Sequence, residues 1–366
     1  MYDATRMVRL STLEGVSWDC TRCGSCCRHF ELGPLDPTTV ARLESLEVAR
    51  HWPPAATQPW FERRDTPVGP ALFLRHVDDH CVFLREDGAC AIHALFGEDA
   101  KPSFCRQFPF RIVRDERGCT AVVRPSCAGW HSTFRDGTPA LDGARAAVAV
   151  PGARIESAVL PEIVAVVPGR GLPRADWSRR EASLLELLAN AAGEATEPPF
   201  DLREAVERSA QLPSAVSDLE RGTAAAELVL QALQLVIEQA LSGPGGTPAQ
   251  RALVSRMRDW VATGRQRARR PLPELTSDGR AYVTLVVRTF LVTRAWLEAG
   301  SVAVGLGRLR FADWFCRQLA STDGEPVSAA AWSDRYVPYL HLVANGATAA
   351  ALERAEPAFL DVFRYL

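Results

Sequence analysis

The first four cysteines stand as Cys20-x2-Cys23-x2-Cys26-Cys27, and nine of the chain's ten cysteines precede residue 128. Thiolate sulfur is a soft ligand that suits zinc, copper(I) and iron–sulfur clusters better than hard cations. Four thiolates complete one tetrahedral zinc site or anchor one four-iron cluster. Two-residue gaps let a tight turn aim successive sulfurs at one centre while backbone N–H groups face the sulfur atoms. Neighbouring side chains of an extended segment point apart. Cys26 and Cys27 are therefore expected to serve different centres, or to divide as ligand and support.

The spacing follows the first three ligands of a bacterial ferredoxin loop, but there the fourth cysteine comes three residues later with a proline behind it. The Cys-x3-Cys-x2-Cys loop of radical S-adenosylmethionine chemistry is absent. Further thiols follow at Cys81, Cys90, Cys105, Cys119 and Cys127, a supply large enough for two centres, with Cys316 alone in the second half. Cys119 falls inside an expected strand and reads as a packed thiol, Cys316 as a core residue of an apolar helix. A disulfide framework is the competing reading, since even cysteine counts in loop-rich stretches mark small secreted domains. The opening MYDATRMVRLSTLEG lacks the apolar core and small-residue cleavage site of a secretory signal, so a cytoplasmic, reducing location is expected, and with it metal binding.

A tetrathiolate centre carries about two negative charges by ligand counting. Arg22, Arg28 and Arg106 adjoin cysteines and could offset that charge or donate hydrogen bonds to sulfur; solvated surface arginines are the equal alternative. His29, His80, His93 and His131 lie in the same region and can each replace a cysteine as ligand, although the thiols already suffice.

The elements that must position these residues follow from pattern. Asp36-Pro37 reads as a helix N-cap with proline at the first helical position, opening a helix through about residue 49. The proline-bearing stretch 51–70 is expected to be irregular. Strands are expected at 71–77 and 81–85, with Asp87-Gly88 as a tight turn that brings Cys81 near Cys90. Pro102 can start a short helix carrying Cys105, and 111–114 with 120–124 form a second hairpin that ends just before Cys127. Beyond Asp176 the composition shifts to Ala, Leu, Val and Arg with helical periodicity. Helices are expected near 177–191, 200–210, 214–242, 248–263, 279–299, 301–320 and 327–345 and at the chain end, with no fixed-period repeat.

At 366 residues the chain has room for about two domains, and its 47% hydrophobic and 23% charged residues are those of an ordinary globular protein. A formal charge of -2, with a single lysine at Lys101, offers no global field for nucleic acid or an anionic membrane. No run approaches the roughly 18 consecutive apolar residues of a membrane span. Within 223–241, Glu227, Gln231, Gln234 and Glu238 fall on one polar face of an otherwise apolar helix. Neither a nucleic acid nor a membrane is an expected partner.

Other motifs carry less. Gly169-Arg-Gly171 and Gly305-Leu-Gly307 read as a turn and as helix packing, because neither follows a strand and opens a helix as a dinucleotide-type loop does. The arginines at 256, 258, 265, 267, 269 and 270 read as a solvated helix end. Trp296, Phe311, Trp314, Phe315, Trp332, Tyr336 and Tyr339 recur at helical spacing as core. No Ser-His-Asp arrangement, His-Glu-x-x-His motif or phosphate-binding loop is present to support a hydrolase.

Cys20-Thr-Arg-Cys23-Gly-Ser-Cys26-Cys27-Arg28, Cys81-Val-Phe-Leu with Gly88-Ala-Cys90-Ala-Ile-His93, Pro102-Ser-Phe-Cys105-Arg106-Gln-Phe-Pro109 and Cys127 together closely resemble the CxxCxxCC cysteine-cluster family of zinc- or iron-chelating proteins. The resemblance covers residues 18–130. It implies eight metal ligands, Cys20, Cys23, Cys26, Cys27, Cys81, Cys90, Cys105 and Cys127, holding zinc or an iron–sulfur cluster such as 4Fe-4S in a structural or redox role. One branch is similar to flagellin lysine N-methylases, which implies an alternative role as a protein-lysine N-methyltransferase using S-adenosylmethionine on a protein substrate. A metal- or cluster-handling module is the third reading. The expected fold is α+β: a small loop-rich cysteine-cluster metal-binding domain (1–137), a connector (138–176) and a mainly α-helical domain (177–366) packed against it.

Overall fold

The computed structural model describes residues 10–66, 69–191, 206–207, 218–242, 248–343 and 346–366. The fold is α+β, with small sheets in the N-terminal part and a helical C-terminal region. The chain divides into two compact units, Met1–Ile112 with Ala121–Glu156, and Val113–Thr120 with Ser157–Leu366.

The first unit opens with β1 (Leu10–Ser11), α1 (Ser25–His29), α2 (Pro37–Ser45), α3 (Val48–His51) and α4 (Pro54–Thr57). Asp36 caps α2 as its sequence predicts, accepting from the Thr39 backbone N–H at 2.9 Å, with Pro37 at the first helical position. Residues 51–70 are not irregular throughout. They contain β2 (Phe61–Thr66), paired antiparallel with β3 (Gly69–Leu74) from Phe61↔Leu74 to Thr66↔Gly69. Pro53, Pro54 and Pro59 precede β2 rather than interrupt it, so its ladder keeps its donors.

After β4 (His76–Val77), β5 contains only His80–Cys81, and the expected strand 81–85 turns instead. The Leu84 N–H bonds the Cys81 carbonyl at 2.8 Å, and Gly88 at φ 76 closes the next turn with its N–H on Arg85. Next come α5 (Ala91–Phe96), α6 (Ser103–Gln107), the hairpin β6 (Phe110–Asp115) and β7 (Gly118–Val123), α7 (Ala140–Val148) and β8 (Ile155–Ser157). One four-stranded sheet runs β1-β7-β6-β8. Residues 138–176, expected as a connector, thus hold α7, β8 and the pair β9 (Ile163–Val167) and β10 (Arg170–Pro173).

The second unit continues with α8 (Arg174–Ala191), α9 (Leu219–Ser242), α10 (Pro248–Arg267), α11 (Ser277–Val292), α12 (Val302–Ala320), α13 (Ala329–Val343), α14 (Gly346–Arg354) and α15 (Glu356–Tyr365). Of the expected helix 200–210, only 206–207 fall among the described residues, and both are helical and buried. Thr276 and Ser301 cap α11 and α12 through their hydroxyls. All seven aromatics expected in the core are buried there, and Trp332 stacks on Tyr336 at 4.3 Å. Gly307 on α12 admits α15 so closely that a Cβ would lie 2.0 Å from the Phe359 carbonyl oxygen.

By length and composition α9 could cross a membrane, with a mean hydropathy of 1.3 over its best window, yet a row including Ala226, Val229, Leu233 and Ile237 is buried within the unit. Its wet side differs from the expected polar face. Gln231 and Glu238 are exposed, but Leu228 and Leu235 are exposed beside them.

Arg294, at φ 51 and with a side chain 0% exposed, forms the polar centre of this unit. Its guanidinium donates to Glu116 at 2.8 and 3.0 Å, to Glu181 at 2.9 to 3.3 Å, and to the Ala158 carbonyl at 2.8 Å. Burial alone would lower the Arg294 pKa, but its hydrogen bonds to the two glutamates outweigh that and raise it. The same contact holds the Glu116 carboxyl down at about 2. Each charge here has a partner, which is the condition under which a buried ionic group is tolerated.

Candidate metal centre

Residues 17–19 lead into the cysteine loop and are fixed along the segment that follows Cys127. The Ser17 N–H bonds the Phe134 carbonyl at 2.9 Å, the Trp18 N–H bonds the Thr138 carbonyl at 2.8 Å, and the Asp19 carboxylate accepts the Thr138 N–H at 3.0 Å. The fully buried Trp130 indole donates to the Ser17 carbonyl at 3.1 Å. Cys20 and Cys23 are thereby held near the stretch that bears Cys127, more than a hundred residues away in sequence.

Two glycines let the loop approach further. A Cβ on Gly88 would lie 1.8 Å from the Arg22 carbonyl oxygen, and one on Gly129 would lie 2.1 Å from the Thr21 hydroxyl. Gly24, at φ 69, rests against Leu84. The Asp87-Gly88 turn between Cys81 and Cys90 is thus a cradle for the Cys20–Cys23 backbone. In that turn Leu84 bridges Cys90, and the Ala91 N–H bonds the Phe83 carbonyl at 2.8 Å, so Cys90 returns toward Cys81 as the turn signal predicts. Arg42 of α2 donates to the carbonyls of Asp99, Ala100 and Lys101 and fixes the approach to α6, which carries Cys105.

Cys81 lies in the apolar core formed by Leu32, Leu43, Leu74, Phe83 and Ile92, with Cys27, Cys90 and Cys105 packed against it. All ten cysteines are free thiols. The Cys26 and Cys27 sulfurs are 3.9 Å apart, because α1 begins at Ser25 and the extended geometry expected to separate them does not hold. Their shared hydrogen bond lowers Cys26 to about 7 and pushes Cys27 far up. Burial raises Cys81 to about 12 and drives Cys105 well above its ordinary value; repulsion among Cys81, Cys90, Cys105 and Cys26 adds to both. Burial likewise lifts Cys127 to about 12, against the Trp18 side chain, with Cys23 and Cys26 close enough to repel it.

The structure therefore gathers Cys26, Cys27, Cys81, Cys90 and Cys105, places Cys127 near Cys23 and Cys26, and leaves Cys20 exposed at the head of the loop. Cys119 and Cys316 are buried, Cys119 in β7 and Cys316 in α12. Among the described residues no three ligand-type side chains are already drawn into a coordination shell. The donor set nonetheless fits a thiophilic metal. Neighbouring buried thiols that oppose one another's ionisation are relieved when a cation takes their thiolates, and the Gly88 and Gly129 cradles hold the loop against the other thiols.

His29 and His93 are exposed, while His80 and His131 set Nδ1 against the Asp78 and Ala128 carbonyls at 2.9 and 2.8 Å. Arg22 and Arg28 are exposed, and Arg106 is held by Asp99 at 2.5 Å. Sequence reasoning passed over Lys101, which lies close enough to Cys26 and Cys105 to favour their thiolates. Being the only lysine of the chain, in a segment bearing cysteines, was its available signal. The two Gly-x-Gly matches serve packing. Gly169–Gly171 is the turn between β9 and β10, and Gly305 and Gly307 meet Trp296 and Phe359.

No curated protein and no solved structure matches the chain. Residues 19–128, the stretch that carries all eight of the gathered and loop cysteines, match the model of the CxxCxxCC family, described as a putative zinc- or iron-chelating domain.

Proposed function

We propose that the first unit binds zinc or an iron–sulfur cluster through Cys20, Cys23, Cys26, Cys27, Cys81, Cys90, Cys105 and Cys127, as a structural or redox-active centre in the reducing cell interior. The observation that carries this reading is the convergence of four separate chain segments on Cys26, Cys27, Cys81, Cys90 and Cys105, at the edge of an apolar core. Ordinary packing does not require five thiols in one place. A bound metal would supply the positive charge that lets these buried thiols ionise, and would crosslink segments that otherwise share few backbone ladders.

The test is metal and acid-labile sulfide analysis on protein purified without oxygen, with an absorption spectrum. Stoichiometric zinc or iron that falls in a Cys81→Ser, Cys105→Ser double variant supports the reading. Iron with sulfide and a broad band at about 400 nm assigns a cluster, and colourless zinc assigns a structural site. Wild-type protein that holds neither metal, and takes up neither on reconstitution, overturns it.

A further inference from the structure

Among the described residues of the first unit, three buried side-chain nitrogens lack a hydrogen-bond partner: Trp18 Nε1, His76 Nε2 and Arg106 Nε. An unpaired buried donor or acceptor costs on the order of 1–3 kcal/mol, so each calls for a reason. The Arg106 guanidinium is occupied by Asp99 and is set aside. The other two adjoin cysteines of the cluster.

His76 is the direct cross-strand partner of Cys81 across the two-residue turn Asp78-Asp79. The Val82 N–H bonds the Arg75 carbonyl at 3.0 Å, so 75/82 is a hydrogen-bonded pair and 76/81 is the closer, non-hydrogen-bonded kind. Opposed residues of an antiparallel pair project to the same face. The imidazole therefore shares its face with the Cys81 thiol, while Val77 and His80 take the other. Trp18 precedes Cys20 by two residues, and its indole interacts with the Cys127 side chain without reaching full hydrogen-bond geometry.

We infer that His76 and Trp18 are positioning residues whose N–H groups are held ready for the Cys81 and Cys127 thiolates that form only when metal binds. This rests on the metal-binding reading above. A neutral thiol is a weak acceptor, and the Trp18 indole engages the Cys127 thiol only short of full hydrogen-bond geometry. A metal-bound thiolate is a strong acceptor in a low-dielectric setting, and an N–H donor to it disperses charge and tunes the bond to the metal. Unpaired nitrogens occur in the helical unit as well, including Trp177 and Trp296, where no thiol cluster adjoins them. The assignment therefore rests on adjacency to Cys81 and Cys127 and not on the missing bond alone.

The test is anaerobic titration of full-length protein with Co2+, comparing wild type with His76→Phe, His76→Gln and Trp18→Phe. The readouts are affinity and the energy of the sulfur-to-cobalt charge-transfer band, with far-ultraviolet circular dichroism to confirm folding. His76→Phe and Trp18→Phe are each expected to weaken binding about tenfold and to shift the band, as loss of such a donor does at other metal sites. His76→Gln keeps an N–H donor and is expected to recover most of both. Variants indistinguishable from wild type overturn the inference while leaving the metal site standing. So does weakened binding with an unmoved band and no recovery in His76→Gln, which would mark a packing role. Wild-type protein that binds no Co2+, Zn2+ or iron overturns the metal reading itself, and this inference with it.

Discussion

The two units solve the problem of buried polarity in opposite ways. In the helical unit, Arg294 is surrounded by Glu116, Glu181 and a carbonyl, and its charge is compensated within the protein. In the cysteine unit, buried thiols lie close together, the ring nitrogens Trp18 Nε1 and His76 Nε2 lack a full hydrogen bond, and Lys101 is the cation that bears on Cys26 and Cys105. One core balances its charge internally, whereas the other gathers thiols whose chemistry suits a thiophilic cation. On the metal-binding reading proposed above, that difference places the ligand's contribution to stability in the first unit.

The largest expected effect is on metal removal. Chelation should destabilise the first unit strongly, since structural zinc is worth on the order of 10 kcal/mol in small domains. Hydrogen exchange should localise the loss to the segments around Cys20–Cys27, Cys81–Cys90 and Cys105, with the amides of α11 and α12 unchanged. Equal loosening in α11 and α12 would break the comparison.

Next in size is Arg294→Met, which removes the cation shared by Glu116 and Glu181 and leaves Glu181 with only the half-exposed Arg117 at 3.2 Å. Removing one member of a buried ion pair costs about 3–5 kcal/mol. Thermal or denaturant unfolding should register it, with metal content unchanged.

A pair of glycine substitutions sharpens the contrast. Gly88→Ala meets the Arg22 carbonyl and forces a side chain to φ 76, and Gly307→Ala meets the Phe359 carbonyl. Each should cost about 2 kcal/mol or more through strain. Only Gly88→Ala should lower the metal-to-protein ratio.

The smallest effect is the pH dependence of the ion network. The Glu116 carboxyl falls from an ordinary 4.5 to about 2 in the fold, so the stability it contributes is present above about 4.5 and is lost as pH falls toward 2. Glu116→Gln should flatten the acid limb of a stability-versus-pH curve for the second unit in that window. An unchanged limb would mean that Glu181 and Asp115 suffice to balance Arg294.

Much of this architecture was legible in the sequence because it is local. The Asp36-Pro37 cap, the Asp87-Gly88 turn, the 111–124 hairpin and the helical periodicity beyond Asp176 all depend on neighbours within a few residues. The strand Phe61–Thr66 was hidden by the prolines around it, since its partner β3 and not its own composition makes it a strand. His76 was passed over because its link to Cys81 runs through a turn built on Asp78 and Asp79, both at positive φ, where no glycine announces it. The Arg294 network joins residues 113 and 178 positions apart, and no periodicity encodes such a contact. Which thiols meet was likewise a property of folding and not of spacing. The adjacent Cys26 and Cys27 were expected to point apart and lie 3.9 Å from each other.

The hairpin of β6 and β7 is threaded through both units. Its base, flanked by Cys105 and Cys127, groups with the first, while its tip at Val113–Thr120 groups with the second, where Glu116 meets Arg294. No single cut can therefore separate the two halves cleanly. A fragment ending anywhere between residues 137 and 176 would carry away Asp115 and Glu116 while leaving Arg294 behind, taking the buried Val113, Asp115 and Thr120 from their unit and orphaning an arginine shaped to be paired. The cysteine domain is delimited by sequence similarity but is not an excisable module, and anyone expressing it alone should expect the tip to need redesign, for instance by shortening the hairpin to a two-residue turn at Ile112 and Ala121.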